Sequence, residues 1–150
     1  MAWLLPGFFI ASCSDVYTIC TASTAVNLSA GFYKANSFPE VKRAASNFTI
    51  TNLNSNTVIY NQFANLTDFY LVLDPTRDTA KYAFRVNGIS QADTISFVYQ
   101  TTTKAISLEC GSVKVHRLTS VYATSNTIDT IKLVNPEVTN DLAENIRIYF

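Results

Sequence analysis

Thr79-Ala-Lys-Tyr-Ala-Phe-Arg-Val-Asn-Gly-Ile-Ser-Gln-Ala-Asp-Thr-Ile-Ser-Phe-Val-Tyr-Gln100 reads as two strands around a turn. In the first half, Tyr82, Phe84 and Val86 share one face and Lys81, Ala83 and Arg85 the other. That period of two is the mark of a strand with one buried face. Asn87-Gly88 is the short-range signal for a tight reversal. Beyond it, Thr94–Gln100 repeats the alternation, with Ile95, Phe97 and Tyr99 on one face.

The same period extends outward in both directions. Val26–Tyr33 alternates as a first strand, and Lys34–Ala45, with Asn36, Ser37 and Pro39, reads as a loop. Phe48, Ile50 and Leu53 open the next strand, and Thr57–Tyr60 follows an Asn54-Ser55-Asn56 turn. Asp68–Leu73 is a dense apolar run ended by Asp74-Pro75, which suggests burial on both faces. Downstream, Ile106–Cys110 leads through Gly111 to Val113, Val115 and Leu118, while Ile128–Val134 sets Ile131 and Leu133 on one face. Asn145–Phe150 aligns Ile146, Ile148 and Phe150. No long stretch holds a 3.6-residue period, and strands spaced this closely predict an all-β, single-domain antiparallel β-sandwich. Ten Phe and eight Tyr supply bulk for its core. Lys+Arg and Asp+Glu balance at 11 each, which leaves no broad electrostatic case for nucleic acid.

Met1-Ala-Trp-Leu-Leu-Pro-Gly-Phe-Phe-Ile-Ala-Ser-Cys13 has the form of a bacterial lipoprotein signal. A short apolar run suits a leader and is too short to span a bilayer. The small pair Ala11-Ser12 fits the peptidase site, and Cys13 would be acylated as the mature N-terminus. Ser14 at the next position, in place of Asp, points to the outer membrane. A leader of this kind usually begins with basic residues, and none precedes Ala2. Either the start lies upstream of Met1, or the segment is a core strand ending in a buried thiol. The organisation expected is therefore 1–12 as signal, 13–25 as a Ser/Thr/Ala-rich tether, and 26–150 as the β-sandwich. Cys13, Cys20 and Cys110 are an odd set of thiols. Acylation of Cys13 leaves Cys20 and Cys110 to form one disulfide in an oxidising compartment, pinning the N-terminal segment onto a late strand. Two independent buried thiols are the other reading.

Candidate chemistry is sparse. His116 is the sole histidine, and a hydrolase would need it beside Ser112 or Ser120 and Asp129. No Gly-x-Ser-x-Gly elbow accompanies it, and it reads as a surface residue at a strand end. Asp74 and Asp78 flank a Pro-Thr-Arg turn with too few ligands for calcium. Glu109 reads as the partner of a base on a neighbouring strand, Lys104 or Arg117 being close in sequence. Tyr60, Phe63, Phe69, Tyr70, Tyr82, Phe84, Phe97 and Tyr99 could line a sugar or peptide groove, but most read as core. No catalytic residue, cofactor site or metal site is expected.

Ile106-Ser-Leu-Glu-Cys110-Gly111, Thr127-Ile-Asp-Thr-Ile131, Asn135 and Glu144-Asn-Ile-Arg-Ile-Tyr-Phe150 carry a resemblance, together with Cys13-Ser-Asp15 and Cys20. The chain resembles a family of small uncharacterised lipoproteins of Bacteroidota over most of the residues after Cys13. The resemblance implies an envelope lipoprotein and supports Cys20 and Cys110 as partners. It also implies an outer-membrane β-barrel or other envelope protein as partner, since members tend to be encoded beside a barrel-like protein. It brings no activity, cofactor or ligand. In that setting Asp78-Thr79-Ala80, Asp93-Thr94-Ile95 and Asp129-Thr130-Ile131 match an O-glycosylation acceptor pattern, at Thr79, Thr94 and Thr130. The function expected is a non-enzymatic accessory or binding subunit of an outer-membrane assembly, attached through a lipid. The alternatives are a glycan-binding or glycan-hydrolysing lipoprotein, and a small outer-membrane β-barrel.

Overall fold

The computed structural model describes residues 19–86 and 90–150, and every regular element within them is a strand. The ten strands are β1 (Leu28–Tyr33), β2 (Phe48–Asn52), β3 (Thr57–Phe63), β4 (Asp68–Leu71), β5 (Thr79–Arg85), β6 (Asp93–Ser107), β7 (Gly111–Ala123), β8 (Thr130–Leu133), β9 (Glu137–Val138) and β10 (Glu144–Tyr149). They form a four-stranded sheet, β4-β1-β10-β8, and a six-stranded sheet, β3-β2-β5-β6-β7-β9. Neighbours are antiparallel except β1 and β10, which run parallel. The architecture is the β-sandwich that the alternating pattern predicts.

The inward faces of β5 and β6 are those read from the sequence. Ala80, Tyr82, Phe84 and Val86 are buried, as are Ile95, Phe97 and Tyr99. The expected Asn87-Gly88 turn lies outside the described residues. Phe32 of β1 is the centre of the core. It stacks on Phe69 at 5.1 Å and meets Phe48, Phe84 and Phe150 edge-on at 5.2, 5.7 and 5.5 Å. Such ring pairs contribute ~0.5–1.5 kcal/mol each beyond their burial. Ile146, Ile148 and Phe150 are buried, so the C-terminal segment forms an inner strand of the smaller sheet.

Several sequence readings require correction. The run Asp68–Leu73 does not bury both faces: Phe69, Leu71 and Leu73 are buried, while Tyr70 and Val72 are 44% and 68% exposed. β4 is an edge strand whose outer side chains happen to be apolar. Conversely, β1 begins at Leu28 and is buried along its whole length, because it lies between β4 and β10 with polar side chains covering its second face. Leu133 is 38% exposed, since β8 is the other edge of that sheet. β6 continues to Ser107, and Leu108–Cys110 form a turn that Gly111 completes at φ 68°. That conformation costs glycine little and other residues more.

A disulfide joins Cys20 to Cys110, their Cα atoms 4.9 Å apart and 90 positions apart in sequence. Because Cys110 lies in the turn, the bond ties the N-terminal segment to a hairpin tip and not to a strand. Asn145 supplies a second long-range tie. Wholly buried, its Oδ1 accepts from Ser29 N at 2.9 Å, and its Nδ2 donates to Asn135 O and Glu137 O at 3.0 and 2.8 Å. The contact falls at the register shift between β1 and β10, where backbone pairing alone is interrupted.

Candidate functional site

The two sheets approach along one side, where the edge strands β3 and β4 lie. Three tyrosines of the six-stranded sheet reach across to the outward backbone of residues 70–74. Tyr60 Oη accepts from Tyr70 N at 3.1 Å and donates to Tyr70 O at 3.3 Å. Tyr82 Oη donates to Val72 O at 3.0 Å, and Tyr99 Oη to Asp74 O at 2.9 Å. The two-residue spacing of 70, 72 and 74 follows from the strand pleat, which turns alternate carbonyls to one edge. Burial, aided by the nearby Tyr99 and Asp74, pushes the Tyr82 hydroxyl up to about 12, and burial raises Tyr99 as well. Outside this row is a groove of about 420 Å³, lined by Thr57, Ile59, Tyr70, Val72 and Pro75 among others. Val58 and Phe63 nearby on β3 are also about half exposed, at 53% and 49%. The groove's lining is predominantly apolar.

The outer face of the smaller sheet carries a polar cluster. Tyr33 Oη donates to Glu144 Oε1 at 2.8 Å, and Arg147 Nε donates to Glu144 Oε2 at 2.7 Å. Glu40, from the loop after β1, pairs with Arg147 Nη1, lies 3.6 Å from Lys132 Nζ and accepts from Tyr149 Oη at 2.6 Å. The Arg147 guanidinium stands 5.0 Å over the Tyr33 ring. The Tyr149 hydrogen bond, reinforced by Lys132 and Arg147, holds the Glu40 carboxyl below the usual carboxylate range despite some desolvation. Burial first, then the bonded carboxylates, push Tyr33 and Tyr149 up to about 12. Gly31 makes the arrangement possible: a Cβ there would collide with Glu144 Oε1 and press on the Tyr33 ring at 2.9 Å. Each charge in the cluster has an opposite neighbour, so its chemistry is that of a strap holding the 34–47 loop to the sheet. Arg43 adds to it, bonding Phe150 O and standing 4.6 Å over the Phe150 ring.

Asp93 is the third polar centre. Fully buried at the start of β6, it accepts from Thr124 Oγ1, Asn126 N and Thr127 N at 2.7 Å and from Ile128 N at 2.9 Å. Burial is the largest single influence and favours the protonated acid, but the four hydrogen bonds together outweigh it and hold the carboxyl below 3.8. Asp93 therefore shapes the 124–129 link. The sequence signals neither this role nor those of Asn145, Gly31, Glu40 and Arg147, whose partners mostly lie far away along the chain.

The residues weighed for catalysis do not converge. His116 is not a surface residue: it is 3% exposed in the interior of β7, because β9 and the 134–138 segment cover that side. Its Nδ1 lies 2.9 Å from Thr101 Oγ1, and its ring meets Tyr99 edge-on at 5.3 Å. Ser112 and Ser120 are four residues away on the same strand, ~13 Å along it. Asp74 is a turn residue, accepting from Thr76 N and Oγ1 at 2.9 and 2.7 Å and forming an ion pair with Arg77 Nε at 3.3 Å. Asp78 O accepts from Tyr99 N at 2.8 Å. Glu109 does not pair with a base; it sits exposed in the tip, held below the carboxylate range by its own N–H and Ser107, while Arg117 pairs with Glu137. Among the described residues, no group of three His, Cys, Asp or Glu side chains could hold a metal ion. Of the aromatic candidates, Phe69, Tyr82, Phe84, Phe97 and Tyr99 are core, whereas Phe63 and Tyr70 are exposed. Thr79 and Thr130 are exposed, but Thr94 is half-buried behind the enclosed Asp93. Cys13 and residues 1–12 lie outside the described residues.

These features define a two-sheet aromatic sandwich with a disulfide-pinned hairpin and no assembled acid–base pair among the residues considered above. Residues 47–150 match DUF6452, a family of unknown function, and the chain belongs to that family. No curated protein and no solved structure matches it. The matched residues include Cys110 and the inner strand β10, while Cys20 and β1 precede them.

Proposed function

We propose that the chain is a lipid-anchored protein of the bacterial outer membrane, of the Bacteroidota type, acylated at Cys13. It acts without catalysis, as a binding subunit for another envelope protein such as an outer-membrane barrel. The observation that carries this reading is the Cys20–Cys110 disulfide. Such a bond persists in an oxidising compartment, and export through the Ile10-Ala-Ser-Cys13 signal leads to one. The groove beside β3 and β4 supports the binding role, since contiguous exposed apolar surface marks interaction sites. The partner's apolar side chains would cover Ile59, Tyr70 and Val72.

Intact-mass analysis of membrane-extracted protein tests the anchor, and gentle detergent extraction followed by mass spectrometry tests the partner. Acyl mass on a chain lacking Met1–Ser12, co-purifying with an envelope protein, is the expected result. A soluble product retaining Met1, or turnover of a glycan or peptide by the purified chain, would overturn the reading.

A further inference from the structure

The hairpin of β6 and β7 leaves the sandwich before it turns. Thr102–Ala105 on one strand and Gly111, Ser112 and Lys114 on the other are exposed, so this arm has no core beneath it. From Thr102 to Leu108 it extends ~20 Å at strand spacing. A two-stranded hairpin on its own is marginally stable in water; this one is held at its far end by the disulfide. The bond gathers an apolar tip there. Leu108 is 100% exposed and Ile19 79% exposed, and Ile19, Cys20, Ile106 and Cys110 line one shallow cleft.

The strand registers give the molecule two ends. Leu28 pairs with Leu71, and Thr79 pairs with Val98, on the arm's side of the sandwich. Arg85 lies opposite Thr49, and Ala123 opposite Ile95, at the other end, with Phe150 and the 34–47 loop.

We propose that the arm's tip, Leu108 and Ile19 beside the Cys20–Cys110 bond, rests in the headgroup–acyl boundary of the bilayer. The arm then holds the sandwich off the membrane, with the 34–47 loop and the 124–129 link directed away from it. This rests on the acylation of Cys13 proposed above. Seven peptide steps separate Cys13 from Cys20, a reach of at most ~25 Å. Without the disulfide the next ties along the chain are Ser23 O, which accepts from Asn140 Nδ2 at 2.8 Å, and Val26, which packs on the core, so the tether would lengthen and the arm's tip would lose its link to it. Two apolar side chains do not bind a membrane by themselves; the lipid supplies attachment and the tip supplies orientation. Lys104 and Lys114, set back along the arm, face the headgroups, and the exposed Glu109 stays among them in contact with water.

Trp3 is the only tryptophan and lies in the leader, so Leu108→Trp gives the mature chain a single indole. The lipidated Leu108→Trp chain is reconstituted in phosphatidylethanolamine–phosphatidylglycerol vesicles with brominated acyl chains. Tyr122→Trp, at a site 62% exposed near the opposite end, is the reference. The indole of Leu108→Trp should emit further to the blue and be quenched several-fold more than that of Tyr122→Trp. Adding Cys20→Ser and Cys110→Ser should retain vesicle binding and abolish that difference. Equal quenching in chains whose intact mass carries the acyl groups overturns this inference alone; absence of the acyl mass overturns the anchor reading with it. A difference that survives loss of both cysteines overturns the role given to the disulfide.

Discussion

Replacing Asp93 with alanine removes the acceptor that organises residues 124–128. The four donors then lose a charged partner, and hydrogen bonds of that kind are worth ~1.5–3 kcal/mol each. They do not fail equally. Ile128 N is buried and goes unsatisfied, at ~1–3 kcal/mol, whereas the Thr124, Asn126 and Thr127 donors recover water in part. The net loss is roughly 4 kcal/mol, a large share of the ~5–15 kcal/mol that holds a domain together. At ~2–4 °C per kcal/mol for a chain of this size, the thermal midpoint of Asp93→Ala should fall by about 8–16 °C. The sign of the pH dependence follows from the lowered folded-state pKa. Stability from the ionised carboxylate is fully present above about pH 3.8 and is lost as the pH falls through the lower folded value. Urea denaturation at pH 7 and pH 3 reads both effects: the gap between wild type and variant should be wide at pH 7 and narrower at pH 3. A variant that melts within about 2 °C of wild type would refute the assignment of Asp93 as the organiser of this link.

Gly31→Ala should cost ~1–2 kcal/mol, chiefly by displacing Glu144 from Tyr33 and Arg147; its effect in urea midpoint should then be smaller in a Glu144→Ala background, where only the Tyr33 ring remains in the way, and fully additive losses would exclude that cause. Burial holds the His116 imidazole below 6.5, so stability it supports is present above about pH 6.5 and lost as the pH falls through the folded value. The urea-midpoint advantage of wild type over His116→Gln should therefore shrink from pH 7 to pH 5, and a constant difference would count against a buried neutral ring. Deleting Asn145–Phe150 removes the inner strand β10 and the burial of Ile146, Ile148 and Phe150, about 6 kcal/mol at ~1.5–3 kcal/mol per side chain; cooperative melting by circular dichroism should disappear, and an unchanged midpoint would show that the segment is dispensable to the sandwich.

Where one face of a strand is apolar and the other charged, local pattern was enough. β5 shows this with Tyr82 and Phe84 against Lys81 and Arg85, and β10 with Ile146 and Ile148 against Arg147. The pattern misled at β4, because Tyr70 and Val72 are apolar yet face solvent, and composition does not distinguish an edge strand from an inner one. It was silent on the parallel pairing of β1 with β10, which joins Ala30 to Ile146 across most of the chain. The burial of His116 escapes the sequence for a related reason: what covers it is the later segment around Val138, invisible from the residues beside it. The polar centres share this property. Asp93 acts on backbone groups more than thirty residues away, and Asn145 joins nearby carbonyls to the Ser29 N–H more than a hundred residues away, for which no local period exists.

The three tyrosine hydroxyls along residues 70–74 bear on how this protein behaves when crowded. A sheet edge with open carbonyls and N–H groups is a template on which another chain can add a strand. Along this stretch the carbonyls of Tyr70, Val72 and Asp74 and the N–H of Tyr70 are already occupied, and by side chains rooted in the opposite sheet. Phenylalanine at 60, 82 or 99 would keep the ring packing and forfeit only the hydroxyl. Such a change would alter a dilute monomer modestly, yet uncover a pairing edge flanked by the apolar Tyr70 and Val72. Its penalty would grow with protein concentration, as self-association on a crowded surface, and selection at these positions would act on colloidal behaviour as much as on folding.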